Sequence, residues 1–204
     1  MTMRVAWDDL TIERRGDVAV IWFERPDRLN AFRLATFQML HEALDQVAAD
    51  NGVRAAVLTG RGRGFCAGED LEEMDGGVGR GFTVRGARGD LTRLQNLTRK
   101  LLSFPKPVVA AINGPAVGLG AELPLVCRLR IAEPEAYFYF PEARRGMLET
   151  NGTFHFLPRI VGLGRAAEWL LTARKIPASE AFEAGLVNAV AEGGRVVEHA
   201  VAAA

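Results

Sequence analysis

Two short apolar segments in this sequence are each followed directly by a glycine-rich turn that contains the start of a helix. The segment 55–59 precedes the turn 60–70, and the segment 108–112 precedes the turn 113–122. Backbone N–H groups at the start of a helix have no partner within the helix and point outward. Two such turns side by side can bind one oxyanion from both sides, a common way to stabilise an enolate or a tetrahedral intermediate.

Apolar strand-like runs and amphipathic helical patterns alternate along the chain, which is typical of an α/β protein. The predicted strands are 18–23, 55–59, 108–112, 128–132, 137–140 and 186–191, and the predicted helices are 34–47, 91–104, 123–126, 165–173, 179–184 and 196–204. The first strand–helix–strand unit predicts a parallel crossover. Residues 75–90 are rich in Gly and Arg without periodicity and predict a mobile loop. A spiral of repeating β-β-α units fits this pattern.

Length and charge limit the classes of protein that this chain can belong to. Its 204 residues predict one domain, and 25 basic against 25 acidic residues favour neither a nucleic-acid nor a membrane partner. The two cysteines, Cys66 and Cys127, form no disulfide framework, and the N-terminus carries no apolar signal core. No apolar run approaches the ~18–20 residues of a membrane span. We therefore expect a cytoplasmic protein.

Several common catalytic and cofactor motifs are missing from the sequence. His41, His155 and His199 are dispersed, so we expect no metal site, and neither serine lies in a nucleophile elbow. Residues 62–67 match a loose dinucleotide-binding motif, which requires an acid about 20 residues further on at the end of a strand. The candidate acid, Asp90, instead lies between the Gly/Arg-rich segment and a helix. Carboxylate chemistry remains.

Two glutamates lie where they can reach the predicted oxyanion site. Glu122 falls in the first turn of the helix that the second glycine-rich turn begins, and Glu142 follows the strand 137–140. Two glutamates near an oxyanion site suit proton abstraction beside a carbonyl, or addition of water to a conjugated double bond. Each also has a simpler explanation, because Glu122 suits a helix N-terminus by charge alone and Glu142 can be a surface residue.

Taken together, these segments resemble the enoyl-CoA hydratase/isomerase (crotonase) family. The resemblance rests on six blocks in the family's order, which are 25–31, 64–71, 113–123, 140–142, 157–162 and 181–188. It implies a crotonase-like spiral of repeated β-β-α units with helices packed around it. Residues 1–191 are then the catalytic core, and 192–204 begin a C-terminal helical segment that either continues past Ala204 or is replaced by another closure of the pocket.

The resemblance also implies a substrate and a set of catalytic groups. The substrate is an acyl-CoA thioester whose carbonyl oxygen binds the backbone N–H groups of Glu69 and Leu119. In hydratases, Glu122 activates or orients a water for the β-carbon and Glu142 delivers a proton to the α-carbon. An isomerase, a thioester hydrolase, a decarboxylase and a non-catalytic acyl-CoA-binding relative remain open alternatives.

The implied CoA contacts come chiefly from backbone groups in the first two blocks, with a nearby arginine for phosphate. The residues assigned to substrate or CoA binding are Arg28, Leu29, Ala31, Ala67, Gly68, Asp70, Leu71 and Gly118. The resemblance implies no cofactor beyond the CoA moiety of the substrate. From the family we also expect a homo-oligomer, either a trimer or a dimer of trimers.

The sequence departs from the family pattern after the second glutamate. Glu149 and Asn151 stand where the family usually has proline and glycine that shape the acyl pocket. Both can be loop surface. If they face the pocket instead, the substrate carries a polar acyl group or the reaction is not simple hydration. Glu69 also puts a carboxylate where many members have alanine, and its side chain can point to solvent.

Overall fold

The computed structural model describes residues 4–72 and 84–204. Ten strands are found there: β1 Arg4–Ala6, β2 Leu10–Arg15, β3 Val18–Phe23, β4 Ala55–Gly60, β5 Val108–Ile112, β6 Ala116–Val117, β7 Leu129–Ala132, β8 Tyr137–Tyr139, β9 Lys175–Pro177 and β10 Ala189–Val190. The large sheet has the order β1-β2-β3-β4-β5-β7-β10. Its first three strands are antiparallel, and the pairs from β3 to β10 are parallel, as the crossover predicted.

A second, three-stranded sheet is formed by segments that follow strands of the large sheet in the sequence. Its order is β6-β8-β9, with β6 and β8 parallel and β9 antiparallel to β8. An isolated bridge between Cys66 and Ala116 adds the segment after β4 to this layer. The chain therefore leaves the large sheet three times, after β4, β5 and β7, and enters the small layer each time. This confirms the spiral of β-β-α units.

Helices cover both faces of the large sheet. They are α1 Leu34–Ala49, α2 Val84–Leu102, α3 Leu119–Glu122, α4 Thr153–Val161, α5 Leu163–Thr172, α6 Ala178–Glu183 and α7 Val196–Ala203, with 3-10 turns at Pro26–Arg28, Leu123–Val126 and Glu142–Arg145. Side chains alternate along β3, so Ala19, Ile21 and Phe23 pack in one core and Val18, Val20 and Trp22 in another. In the described part of the chain, no helix is long and apolar enough to cross a membrane.

Two details of the predicted elements need correction. Residues 84–90, predicted as part of a mobile loop, are the first turns of α2, because a helix already nucleated by the leucine pattern extends at little cost. Residues 75–83 of that loop lie outside the described residues. The strand predicted at 186–191 is only Ala189–Val190, because the Leu186 and Val187 N–H groups donate to the Ala181 carbonyl in a helix-ending turn.

Helix α4 was not predicted. The sequence there begins after Gly152 and contains Pro158, both of which usually indicate a break in helical structure. Pro158 is the sixth residue of this nine-residue helix, so it costs the helix one i→i−4 hydrogen bond. The helix follows directly on the segment with the unusual Glu149 and Asn151, so it fixes where that segment returns to the core.

Candidate active site

The two glycine-rich turns are packed against each other so closely that side chains are excluded between them. A Cβ atom on Gly120 would lie 2.0 Å from the Cys66 carbonyl oxygen, and one on Gly114 would lie 2.1 Å from the Arg63 carbonyl oxygen. The Val117 N–H donates to the Cys66 carbonyl at 2.9 Å. Glycine is required because real Cβ atoms do not approach backbone oxygens that closely. The paired turns of the sequence are therefore one structural unit.

The backbone donors assigned to the oxyanion site lie at this junction. Leu119 is the first residue of α3, so its N–H has no partner within the helix. Phe32 exchanges hydrogen bonds of 2.8 Å with the Gly68 carbonyl and the Asp70 N–H, which directs the N–H of Glu69 away from Phe32. A Cβ on Gly68 would lie 3.6 Å from the Leu119 nitrogen. The two turns thus bring both donors to one place.

Glu122 is buried at the end of α3, where two neutral side chains hold its carboxylate. The Asn151 Nδ2 donates to Oε2 at 2.5 Å, and the Thr153 Oγ1 donates to Oε1 at 2.7 Å. Thr98 of α2 donates in turn to Asn151 Oδ1 at 3.3 Å. Sequence reasoning missed Thr98 and Thr153. Thr153 could have been found from sequence, because it closely follows Glu149 and Asn151, where the sequence departs from the family pattern. Thr98 has no sequence signal, because only the fold brings α2 to this site.

Glu142 begins the 3-10 turn after β8, and its carboxylate lies against the entry to α3. A Cβ on Gly118 would be 3.0 Å from Glu142 Oε1, so the glycine leaves room for the carboxyl group. Burial and the charges of Glu122 and Glu149 raise the pKa of Glu142 to about 8. Glu142 is therefore protonated at neutral pH and can act as an acid.

The segment 149–151, where the sequence departs from the family pattern, faces these glutamates and not the solvent. Glu149 is 7% exposed and Asn151 is 3% exposed. Burial and the charge of Glu122 raise the pKa of Glu149. Three carboxyl groups thus share one buried region beside the oxyanion donors, where the family pattern led us to expect two.

The predicted CoA-binding turn is a strained segment held by a buried asparagine. Leu29 and Asn30 both have left-handed backbone conformations, with φ of 48° and 59°. The Asn30 side chain donates to the carbonyl oxygens of Arg61 and Gly64 at 2.9 and 2.8 Å. The Ala67 N–H donates to the Leu29 carbonyl at 2.9 Å. A carbonyl oxygen can accept a second hydrogen bond, so a CoA contact at Leu29 remains a prediction.

Asp70, assigned to CoA binding, makes a buried ion pair that joins the two blocks. Its Oδ2 lies 2.8 Å from the Arg25 guanidinium, which also donates to the Ala31 carbonyl at 2.6 Å. Burial alone would raise the pKa of Asp70, but the hydrogen bond and charge of Arg25 outweigh it, so the pKa lies below its ordinary value. This pair builds the turn on which the predicted CoA contacts depend.

Two of the predicted CoA residues, Arg28 and Leu71, lie at the surface. Arg28 is exposed and pairs with Glu72 at 3.0 Å, in a bridge weak enough to yield to a phosphate group. Leu71 is 37% exposed in a turn at the end of the second block. Both positions are accessible to a ligand, and their contacts with CoA stay predictions.

Cys66 is a packing residue. Its side chain is fully buried, and burial raises the pKa of the thiol to about 12, so no thiolate forms at neutral pH. The first glycine-rich turn therefore offers backbone donors and no nucleophile. Among the described residues, no group of three His, Cys, Asp or Glu side chains has the arrangement of a metal site.

Comparison with known proteins defines the class to which this fold and site belong. The sequence profile of the enoyl-CoA hydratase/isomerase family matches residues 13–204. A relative from Thermus thermophilus, whose name provisionally gives it as an enoyl-CoA hydratase, is 40% identical over 193 residues, covering 93% of this chain and 74% of the relative. The "Short-chain-enoyl-CoA hydratase" of Clostridium acetobutylicum is 36% identical over 189 residues, covering 91% of this chain and 69% of the relative.

Solved structures that resemble this one point to the same class of protein. The crystal structure of an enoyl-CoA hydratase from Bacillus anthracis has a TM-score of 0.89 and 33% sequence identity, covering 96% of this chain and 75% of that one. The chain belongs to the enoyl-CoA hydratase/isomerase family. The resemblance seen in its sequence blocks is therefore confirmed, and with it the crotonase-like fold.

Proposed function

We propose that this protein adds water reversibly across the double bond of a 2-enoyl-CoA thioester. The observation that carries the proposal is that Glu122 and Glu142 approach the same glycine-rich turn from opposite ends. Glu122 ends α3, whose first N–H belongs to Leu119, and Glu142 lies against Gly118. A thioester oxygen bound at Leu119 would therefore have a carboxyl group on each side.

The two glutamates have different work in this reaction. Glu122 accepts a proton from a water molecule as the oxygen of that water bonds to the β-carbon. The negative charge moves to the thioester oxygen, which the N–H groups of Glu69 and Leu119 stabilise. Glu142 gives its proton to the α-carbon, which completes the addition. A proton then returns from Glu122 to Glu142 before the next turnover.

We propose that the CoA moiety binds along the turn 25–31 and the segment 67–71, with Arg28 near a phosphate. The pair between Arg25 and Asp70 supports this assignment, because it holds the two segments together. The reaction as written needs no cofactor beyond the CoA moiety itself, since every proton moves between water, substrate and the two glutamates. Homo-oligomer formation and a cytoplasmic location remain predictions from the sequence.

Hydration of crotonyl-CoA, followed as loss of the enoyl-thioester absorbance, tests this proposal. We expect turnover by the unaltered protein and a fall in kcat of about 10²–10⁴-fold in Glu122→Gln and in Glu142→Gln, as for loss of a general acid or base. Glu183→Gln on α6 is the matched control. Glu183 is exposed, and the substitution is the same chemical change made away from the site.

Two results would contradict the proposal. Hydration that persists unchanged in both glutamate variants would remove the roles assigned to them. Tight binding of crotonyl-CoA without turnover by the unaltered protein would favour the non-catalytic alternative.

A further inference from the structure

The third carboxyl group of the site belongs to Glu149, which has no part in the proposed hydration. It lies next to Glu142, which is the proposed proton donor. Its segment wraps around the site, because Asn151 and Thr153 from the same stretch donate to Glu122. Glu149 is itself 7% exposed and interacts with Glu142. A buried carboxylate costs free energy unless it is paired, so its presence here needs a physical reason.

Each of these two residues has one buried carboxyl oxygen without a hydrogen-bond donor among the described residues. The atoms are Oε2 of Glu142 and Oε1 of Glu149. Two ionised carboxylates cannot bond to each other, because neither has a hydrogen to donate. A single proton on one of them turns the repulsion into a short, charge-assisted hydrogen bond. The pair is therefore satisfied with one proton, and not with none.

We propose that Glu149 is a positioning residue that accepts a hydrogen bond from the Glu142 carboxyl group and keeps the catalytic proton on Glu142. Among residues 4–72 and 84–204, the carboxyl groups whose charges act on Glu142 are those of Glu122 from α3 and Glu149 from the loop before α4. Both are acidic, so both oppose ionisation of Glu142. Glu149 also orients the group through the hydrogen bond, which a distant charge cannot do.

The direction of sharing follows from where Glu142 lies. Its Oε1 is against Gly118 at the oxyanion turn, and burial together with the charges of Glu122 and Glu149 raises its pKa to about 8, so we assign the proton to Glu142 and the charge to Glu149. Glu142 is thereby kept ready to protonate the α-carbon, a consequence that rests on the proposed hydration. The paired state itself does not depend on any turnover.

Titration of the free protein tests the paired state without substrate. Glutamate labelled with carbon-13 at the side-chain carboxyl carbon is followed by NMR in the unaltered protein, Glu142→Gln and Glu149→Gln. We expect one carboxyl group to titrate near pH 8 in the unaltered protein, as the raised pKa of Glu142 requires. That signal should vanish in Glu142→Gln and titrate about one pH unit lower in Glu149→Gln. An unchanged titration in Glu149→Gln would overturn the proposal.

The pH dependence of kcat with crotonyl-CoA tests the catalytic consequence. Loss of the Glu142 proton makes kcat fall at alkaline pH, and that fall should begin about one pH unit lower in Glu149→Gln, with KM little changed. Glu149→Asp keeps the charge and should restore part of the shift, whereas Glu183→Gln should show none. Identical profiles in Glu149→Gln and the unaltered protein would overturn the proposal.

The two measurements separate this inference from the proposed function. If the unaltered protein fails to hydrate crotonyl-CoA, the proposed function fails, while the NMR titration still decides whether Glu149 holds the Glu142 proton. Thermal unfolding checks that Glu149→Gln is folded, and no loss of stability is expected because the variant removes a buried like charge.

Discussion

At the scale of residues, the site differs from a symmetric pair of glutamates because the two carboxyl groups have different neighbours. Neutral donors from Asn151 and Thr153 hold Glu122, which suits a carboxylate that accepts a proton. Acidic neighbours surround Glu142, which suits a carboxyl group that donates one. These different neighbours assign the role of base to Glu122 and the role of acid to Glu142.

The Thr153 hydroxyl should matter through Glu122 alone. Thr153→Val keeps the shape of the side chain but removes the donor to Glu122 Oε1. Since hydrogen bonds to charged groups contribute about 1.5–3 kcal/mol, we expect kcat for crotonyl-CoA hydration to fall by about tenfold or more. The measurement is steady-state kinetics, with KM recorded separately to show that substrate binding is retained.

Thr172→Val is the matched control, because Thr172 is exposed on α5 and donates only to a carbonyl of its own helix. It should leave kcat unchanged. Equal activity in Thr153→Val and the control would show that the Glu122 carboxylate does not depend on this donor.

At the scale of elements, the contact between the two glycine-rich turns sets the distance between the oxyanion donors. The turn after β4 carries Glu69, and the turn after β5 leads into α3 and Leu119. Gly120 holds the two together by letting α3 approach the Cys66 carbonyl. A change at this contact alters both donors without touching either.

Gly120→Ala should damage stability and activity together. Its Cβ would lie 2.0 Å from the Cys66 carbonyl oxygen, and a backbone atom cannot move aside as a flexible side chain can. We expect the free energy of unfolding to fall by about 1–3 kcal/mol or more, as for overpacking, and hydration to be largely lost. Chemical denaturation and the crotonyl-CoA assay measure the two effects.

Gly164→Ala on α5 is the matched control, because nothing lies within 4 Å of the added Cβ. It should keep full activity and gain about 0.5–1 kcal/mol of stability, as for alanine replacing glycine within a helix. A Gly120→Ala protein as active as this control would contradict the close contact between the turns.

Much at this scale could be predicted from the sequence, for reasons that are local. Continuous apolar runs identified β3, β4 and β5, and a 3.6-residue pattern identified α1, because both signals arise from burial of each element. Helix α4 escaped because its burial comes from tertiary contacts that override Pro158 and Gly152. The first turns of α2 escaped because they extend a helix that is specified further along the chain.

At the scale of the whole molecule, the spiral collects groups that are far apart in sequence. Asn151 is 29 residues from Glu122 and 53 residues from Thr98, yet it bonds to both. The two glutamates could be chosen as candidates from sequence, because one follows a glycine-rich turn and the other follows a strand. The groups that hold them could not, since no local pattern states which loop returns to the sheet edge. The burial of Glu149 also could not be predicted from the sequence, for the same reason.

One measurement tests the hydration claim directly. Crotonyl-CoA is incubated with the unaltered protein in deuterium oxide enriched in oxygen-18, and the products are analysed by mass spectrometry and NMR. Hydration with Glu142 as the proton donor predicts 3-hydroxybutyryl-CoA, with oxygen-18 on the β-carbon and one deuterium on the α-carbon. A shifted double bond with deuterium but no oxygen-18, or a free carboxylic acid carrying oxygen-18 together with free CoA, would contradict the account.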